Sequence, residues 1–376
     1  MTYKVLYLLF LPAIFIICSQ KKKWEWIPYI LLCILMGIRY DSVSDYLPYV
    51  KIFDEIKRTG FPDSENIEIG WIYLNRMFSF IPYGWVLIIS ISSLLPLLLA
   101  KRFLKKYDIV LYGTALIFLL NYYYMFDSVL RQCVSVSIFM FSIKYITKRN
   151  FTKFFIINFI GFLIHSSAII TLAFYPLIIY AEKAYLSSKA IISCIILSYI
   201  AFLSSGVLLL NQFLGEVYNM DFAVVYEGKG LYSLIIAIIS ALPLLYFKDK
   251  QVDFLPILYV SFFVGVGTLF VANIDTLKRV FLYLYIYQII AISLLLKELI
   301  QKKKHLFVKV SFLSLYIAQV MFVYNYFEDS EYRTIFSDNF KNHLFYERGG
   351  RAIFSEESWF EYRDRSKFYQ YKVIDE

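Results

Sequence analysis

The sequence predicts an all-α, polytopic integral membrane protein with about ten transmembrane helices and a re-entrant hairpin. Three observations carry this reading. Apolar residues make up 60% and aromatic residues 20% of the 376-residue chain, and its mean hydropathy is +0.60, far outside the soluble range. Charged residues are only 18%, against about 25% in ordinary globular chains, which is too few to solvate a soluble fold of this size. Apolar runs of near bilayer length also alternate with short clusters of Lys and Arg.

A hydrocarbon core of about 30 Å needs roughly 20 helical residues. Ten candidate runs lie at 3–18, 24–38, 83–100, 109–125, 129–147, 188–210, 231–247, 254–272, 280–296 and 306–324. The first lacks a basic leader and a small-residue cleavage site, so it reads as a span rather than a cleaved signal. The Lys/Arg-rich connections are 21–23, 101–106, 148–153, 183–189, 248–250 and 297–304, and the positive-inside rule places all of them in the cytoplasm.

That placement constrains the 27-residue apolar stretch 154–180. If it crosses once, every later connection changes sides and the lysines at 302–304 fall outside. Two passes restore the pattern; each is ~20 Å long at about 1.5 Å per residue, short for a crossing but suited to a re-entrant hairpin. His165-Ser166-Ser167 then forms its turn, in a segment that lines a cavity. The alternative is one long tilted helix with His165 bonded to a neighbour. On the hairpin reading the outer connections are 39–82, 126–128, 211–230 and 273–279. Residues 70–80 become an interfacial helix whose Trp71, Tyr73, Phe78 and Phe80 suit the headgroup zone. The membrane unit is 1–325, and 326–376 is a short charged and aromatic extension.

The net charge of +9 comes from 38 Lys/Arg and 29 Asp/Glu. From residue 325 onward there are 8 basic and 11 acidic residues, leaving 30 against 18 for the rest. The basic excess therefore belongs to the membrane part and records orientation rather than affinity for nucleic acid. The four cysteines have no paired spacing and the three histidines are scattered, so neither a disulfide framework, a metal site nor a cofactor is expected. Walker, Rossmann and zinc-protease motifs are missing.

Three outer sites place costly charges at or inside apolar helices. The first is Arg39-Tyr40-Asp41 with Ser44-Asp45-Tyr46. The second is Asp127-Ser128-Val129-Leu130-Arg131-Gln132, where Asp127 and Arg131 share a helical face and Ser135 lies beside them. The third is Asn273 to Arg279, with Tyr283 and Tyr287 continuing the face of Asp275 and Arg279. Ion pairing explains any one of these, but not why all three and the His165 turn point to one outer half. Arginine forks bind phosphate oxygens bidentately and stay charged when desolvated, which suits a diphosphate headgroup. Arg39, Arg131 and Arg279 are the candidates, with Asp41, Tyr46, Gln132 and Asp275 as further substrate-binding residues.

Several of these pieces resemble the EpsG family of bacterial exopolysaccharide proteins, distant relatives of Wzy-type O-antigen polymerases. Gly37-Ile38-Arg39-Tyr40-Asp41 followed by Ser44-Asp45-Tyr46 is similar to the family's glycine-to-Arg-Tyr-Asp segment, with Val43 where a glycine is usual. Residues 126–132, the basic loop at 148–150 and Phe162-Leu163-Ile164-His165-Ser166-Ser167-Ala168 resemble its central block. Residues 275–283 resemble a late Arg-containing segment more weakly. The likeness covers about 1–325.

The resemblance implies a multi-pass protein of the bacterial cytoplasmic membrane that joins undecaprenyl-diphosphate-linked oligosaccharide repeat units into an exopolysaccharide, capsule or O-antigen chain. Its partners are then the lipid-linked oligosaccharide, the bilayer and other polysaccharide-assembly proteins. An acceptor hydroxyl attacks the donor's anomeric carbon and lipid diphosphate leaves, with arginines in place of a metal. His165 is the first candidate for the catalytic base and Asp45 the second. A lipid-linked oligosaccharide flippase and a membrane acyltransferase are the alternatives.

Overall fold

The computed structural model describes residues 9, 11–18, 21–39, 46–63, 67–120, 122–203, 229–271 and 279–326, and every element among them is helical. The chain opens with α1 (Leu11–Cys18) and α2 (Ile27–Ile38). Pro28 stands in the first turn of α2, where its missing N–H costs no hydrogen bond. The helix stops at Arg39, which is extended at φ −66° and ψ 151°.

Two shorter helices follow, α3 (Tyr46–Thr59) and α4 (Ile69–Phe78). Tyr46, Val50 and Phe53 follow helical spacing and bury against Trp85 and Ile88 of α5 (Gly84–Lys106). α4 is not a span, as expected, and Tyr73 and Phe80 are exposed at 56% and 79%. Trp71 departs from the expectation: it is buried against Tyr49, because Trp71, Ile72 and Asn75 form the face of α4 that packs inward.

The expected span at 109–125 is broken into α6 (Val110–Leu119) and α7 (Tyr122–Ser128), which leads into α8 (Leu130–Thr147). Next come α9 (Phe151–Ile164), a 3-10 turn over Ser166–Ile170 and α10 (Thr171–Ala181). Asn150 caps α9 by accepting from Lys153 N at 3.0 Å. The rings of Phe151 and Phe154, at the start of α9, both lie 5.0 Å from Tyr175 in α10. Arg149 just before α9 pairs with Glu182 just after α10. The segment therefore folds back on itself, with His165 at its tip. It is a hairpin, and not one long helix.

The remainder is α11 (Ser188–Leu203), α12 (Lys229–Phe247), α13 (Leu255–Phe270), a 3-10 turn over Arg279–Leu284 that runs into α14 (Tyr285–Gln301), and α15 (His305–Tyr326). A Cβ at Gly265 would lie 2.5 Å from that of Ser240, so the glycine permits the close approach of α12 and α13. Residues 327–376, which hold the expected extension, lie outside the described residues.

The bundle is apolar outside and partly polar inside. Ile192, Ile196 and Ile200 form an exposed stripe on α11, whereas Asn158 bonds Ser142 at 2.9 Å and Gln288 bonds Ser240 at 2.5 Å in the interior. Such polarity suits a lipid-facing bundle, in which buried polar side chains link helices. Among the described residues two helical stretches are long and apolar enough to cross a bilayer, Gly84–Lys106 and Arg279–Gln301. The other apolar helices are shorter, at 10–17 residues, so the count of ten crossings is not reached by length alone.

The basic connections gather on one face. Asp108 meets Lys22 at 3.1 Å and Lys297 at 3.3 Å. Tyr246 accepts from Lys302 at 2.9 Å and has Lys250 Nζ 3.6 Å from its ring centre. The connections after α1, α5, α12 and α14 thus share one end, and the start of α8 and the hairpin tip lie at the other.

Candidate functional site

Arg131 lies in the first turn of α8, and His165 ends α9 with an extended backbone at φ −153° and ψ 119°. The two elements are tied where they meet. Ser135 Oγ donates to the Gly161 carbonyl at 2.8 Å, and the His165 N–H donates to the same oxygen at 2.9 Å.

Glu68, directly before α4, joins them. Its Oε1 contacts His165 Nδ1 at 3.1 Å and accepts from Ser166 N at 2.9 Å and from Ser166 Oγ at 3.2 Å. Its Oε2 forms an ion pair with Arg131, which also hydrogen-bonds Tyr49. A close approach of α4 to the hairpin makes this possible. A Cβ on Gly70 would lie 2.6 Å from the Leu163 carbonyl oxygen, so no other residue fits there without movement of the backbone.

Burial alone would favour a protonated Glu68. The bonds from His165 and the Ser166 N–H, together with the Arg131 charge, outweigh burial and hold the carboxyl down to about 2. An ionised carboxylate only accepts, so in this bond His165 Nδ1 is the donor and Nε2 is left as the ring's other nitrogen. The side chains of Glu68, Arg131 and His165 are 16%, 23% and 24% exposed. They form a partly exposed imidazole, held by a carboxylate, beside a paired cation, and a neutral imidazole so placed is suited to taking a proton from a hydroxyl next to an anionic group.

The turn at 279–284 closes the group from the far end of the chain. Gln132 Nε2 donates to the Arg279 carbonyl at 2.6 Å, and Tyr283 OH is 3.0 Å from Ser167 Oγ. Arg279 itself is exposed. This stretch is 3-10 rather than α-helical, so Arg279, Tyr283 and Tyr287 do not continue one α-helical stripe, yet Tyr283 still braces the hairpin tip.

Arg131, Gln132, His165 and the Arg279 backbone are thus brought together. Arg39 lies buried at 2% exposure, with Nη1 donating to the Met36 carbonyl at 2.7 Å and Nη2 to Ser93 Oγ at 2.6 Å. A diphosphate reaching Arg39 must displace those contacts. Tyr46 is buried as well: its OH donates to the Arg39 carbonyl at 3.4 Å and its ring stands edge-on to Trp85. Asp41, Asp45 and Asp275 lie outside the described residues, as does the side chain of Asp127. Sequence reasoning did not single out Glu68. Its signal was a carboxylate between Ile67 and Ile69, two residues before a glycine and at the head of an aromatic helix.

The sequence profile of the EpsG family matches residues 22–340. The chain belongs to the EpsG family. The match spans every site residue from Arg39 to Tyr283, begins after the first apolar run and continues past residue 325 into the tail. Membership in EpsG and the apolar helices together point to a membrane protein of exopolysaccharide biosynthesis. No curated protein and no solved structure matches this EpsG-family chain.

Proposed function

We propose that this EpsG-family protein is a metal-independent polymerase that joins undecaprenyl-diphosphate-linked oligosaccharide repeat units on the outer side of the bacterial cytoplasmic membrane. The observation that carries the reading is the bridge of Glu68 between His165 and Arg131 at the hairpin tip. In this reading the hairpin is re-entrant, ten helices cross the bilayer and the face around Asp108 is cytoplasmic. The product is an exopolysaccharide, capsule or O-antigen chain.

The acceptor sugar hydroxyl attacks the anomeric carbon of the donor, a new glycosidic C–O bond forms and the bond to the diphosphate oxygen breaks. The hydroxyl proton passes to His165 Nε2, while Glu68 keeps Nδ1 protonated and the ring oriented. Negative charge grows on the departing diphosphate, and Arg131 and Arg279 stabilise it through fork hydrogen bonds. Gln132 holds the Arg279 backbone. Arg39, braced by Tyr46, remains a deeper ligand of the same headgroup, together with Asp41 and Asp275, and Asp45 is the second candidate base.

The test is purified protein in liposomes supplied with radiolabelled lipid-linked repeat units. Chain growth is the expected result. Translocation without growth would replace the reading with a flippase, and transfer of an acyl group with an acyltransferase.

A further inference from the structure

The exposed flank of the hairpin carries a run of neighbouring phenylalanine rings that the chemistry at its tip does not use. Phe151, Phe155, Phe159 and Phe162 follow one another at spacings of four, four and three residues along α9, so they share one face of the helix. Successive ring centres lie 6.1, 6.2 and 6.1 Å apart. At about 1.5 Å per residue the run is roughly 16 Å long, and it ends three residues before His165.

Between this run and the chain's return through the 3-10 turn and α10 lies a cavity of about 130 Å³. Phe155, Phe159 and Phe162 form one wall, and Ala168, Ile169 and Leu172 the other. Asn158 lies at its floor, with its amide N–H groups taken up by Ser142 Oγ at 2.9 Å and the Phe154 carbonyl at 2.8 Å. The mouth is open, since Phe155, Phe159 and Ile169 are 41%, 48% and 55% exposed. Lipid tails are as apolar as these walls, so fit and dispersion, rather than escape from water, decide what occupies the slot. A cavity of about 150 Å³ takes one benzene molecule, and a five-carbon isoprene unit is of that size.

Two observations select the occupant. The Ala168 N–H donates to the His165 carbonyl at 2.9 Å, so one end of the slot is fixed to the candidate base. A molecule with an anionic end at Arg131 and an apolar remainder running down the hairpin is therefore continuous with the site. The wall of flat rings also faces a small side chain, Ala168. A polyprenyl chain carries a methyl branch and a planar double bond in every unit, which fill a slot of this shape where a straight acyl chain leaves space.

We infer that the slot between Phe155, Phe159 and Phe162 and the return of the hairpin seats the polyprenyl chain of the lipid diphosphate whose headgroup lies at Arg131 and His165. This rests on the polymerase reading of that site. The chain enters sideways from the bilayer, and every bond of Glu68 to His165, Ser166 and Arg131 stays in place.

The test uses the full chain in nanodiscs of phosphatidylglycerol and phosphatidylcholine, with undecaprenyl phosphate bearing a diazirine near its phosphate end as the probe. Crosslinks are expected in peptides covering 155–172. Excess unlabelled undecaprenyl phosphate should abolish them, whereas dipalmitoyl phosphatidic acid, a phosphate on straight chains, should not. Phe159→Leu removes a half-exposed ring and should weaken labelling about two- to tenfold, and Leu172→Trp, which fills the slot, should weaken it further. Ile160→Leu, on the same helix at 50% exposure and outside the slot, should label as the unaltered chain does. Equal competition by phosphatidic acid would make the slot an ordinary lipid crevice and overturn the proposal. Labelling confined to other helices, or unchanged in Phe159→Leu, would do the same. Slot labelling that Phe159→Leu weakens, without chain growth in liposomes, removes the polymerase reading and leaves the slot standing. Chain growth without slot labelling does the reverse.

Discussion

Arg149 and Glu182 form an ion pair at the base of the hairpin whose tip carries His165. The two residues are far apart in sequence and flank an apolar stretch that on length alone could be one tilted helix, so their contact places both ends of that stretch on one side. Together with the Lys22, Asp108 and Lys297 cluster, it gives the parity of the membrane crossings a geometric basis.

The first prediction concerns sidedness. With Cys18, Cys33, Cys133 and Cys194 replaced by alanine, single cysteines at Lys148 and Lys303 should resist an impermeant thiol reagent in intact cells, whereas one at Ser167 should label. Strong labelling at Lys303 would reverse the orientation.

The second concerns the base. His165→Gln keeps a hydrogen-bonding group but cannot accept a proton near neutral pH, so the polymerisation rate at matched protein abundance should fall by roughly 10² to 10⁴. A near-normal rate with an unchanged pH profile would remove His165 from the chemistry.

The third concerns Glu68. Its carboxyl is held down to about 2 from an ordinary 4.5, so it stabilises the fold fully above about pH 4.5, and that contribution is lost as pH falls toward 2. Glu68→Gln should therefore be less stable at neutral pH, by at most roughly 2–3 kcal/mol. The gap to wild type should close between pH 4.5 and 2. A constant gap across that window in thermal unfolding would contradict the ion-pair account.

The fourth separates two arginines. Arg131→Lys should cut the rate by about a hundredfold, because a point charge cannot reproduce the fork, and should leave protein levels intact. Arg39→Lys breaks bonds to Ser93 and the Met36 carbonyl in a buried setting, so it should cost about 1–3 kcal/mol of stability as well. Melting curves alongside activity distinguish the two patterns.

The fifth tests the approach of α4. Gly70→Ala places a methyl group where the Leu163 carbonyl lies 2.6 Å away, which should push Glu68 from His165 and lower activity as much as Glu68→Gln does. Full activity would mean that the contact is dispensable.

How far these relationships were readable from the residues differs by element. The hairpin was legible because charge parity is a global constraint: only two passes around His165 kept the lysines at 302–304 with the other basic loops. Arg131, Gln132 and His165 were legible because polar groups inside apolar helices are costly and ask for a reason. Glu68 was not, since it lies in a connection where a carboxylate costs nothing and its partner is 97 residues away. Arg39 read as an outer ligand because its distance from the helix end was visible, while the Ser93 hydroxyl that encloses it comes from a different helix.

The turn at 279–284 and α14 also have a meaning in time. A ribosome delivers Lys22, Asp108, Gln132 and the hairpin to the membrane well before Arg279, Tyr283 and Lys297. Gln132 therefore waits for the Arg279 carbonyl, Ser167 for the Tyr283 hydroxyl and Asp108 for its second lysine until one late segment arrives. That segment supplies contacts at both ends of the bundle, so Gln132, Ser167 and Asp108 gain these partners together when it is inserted.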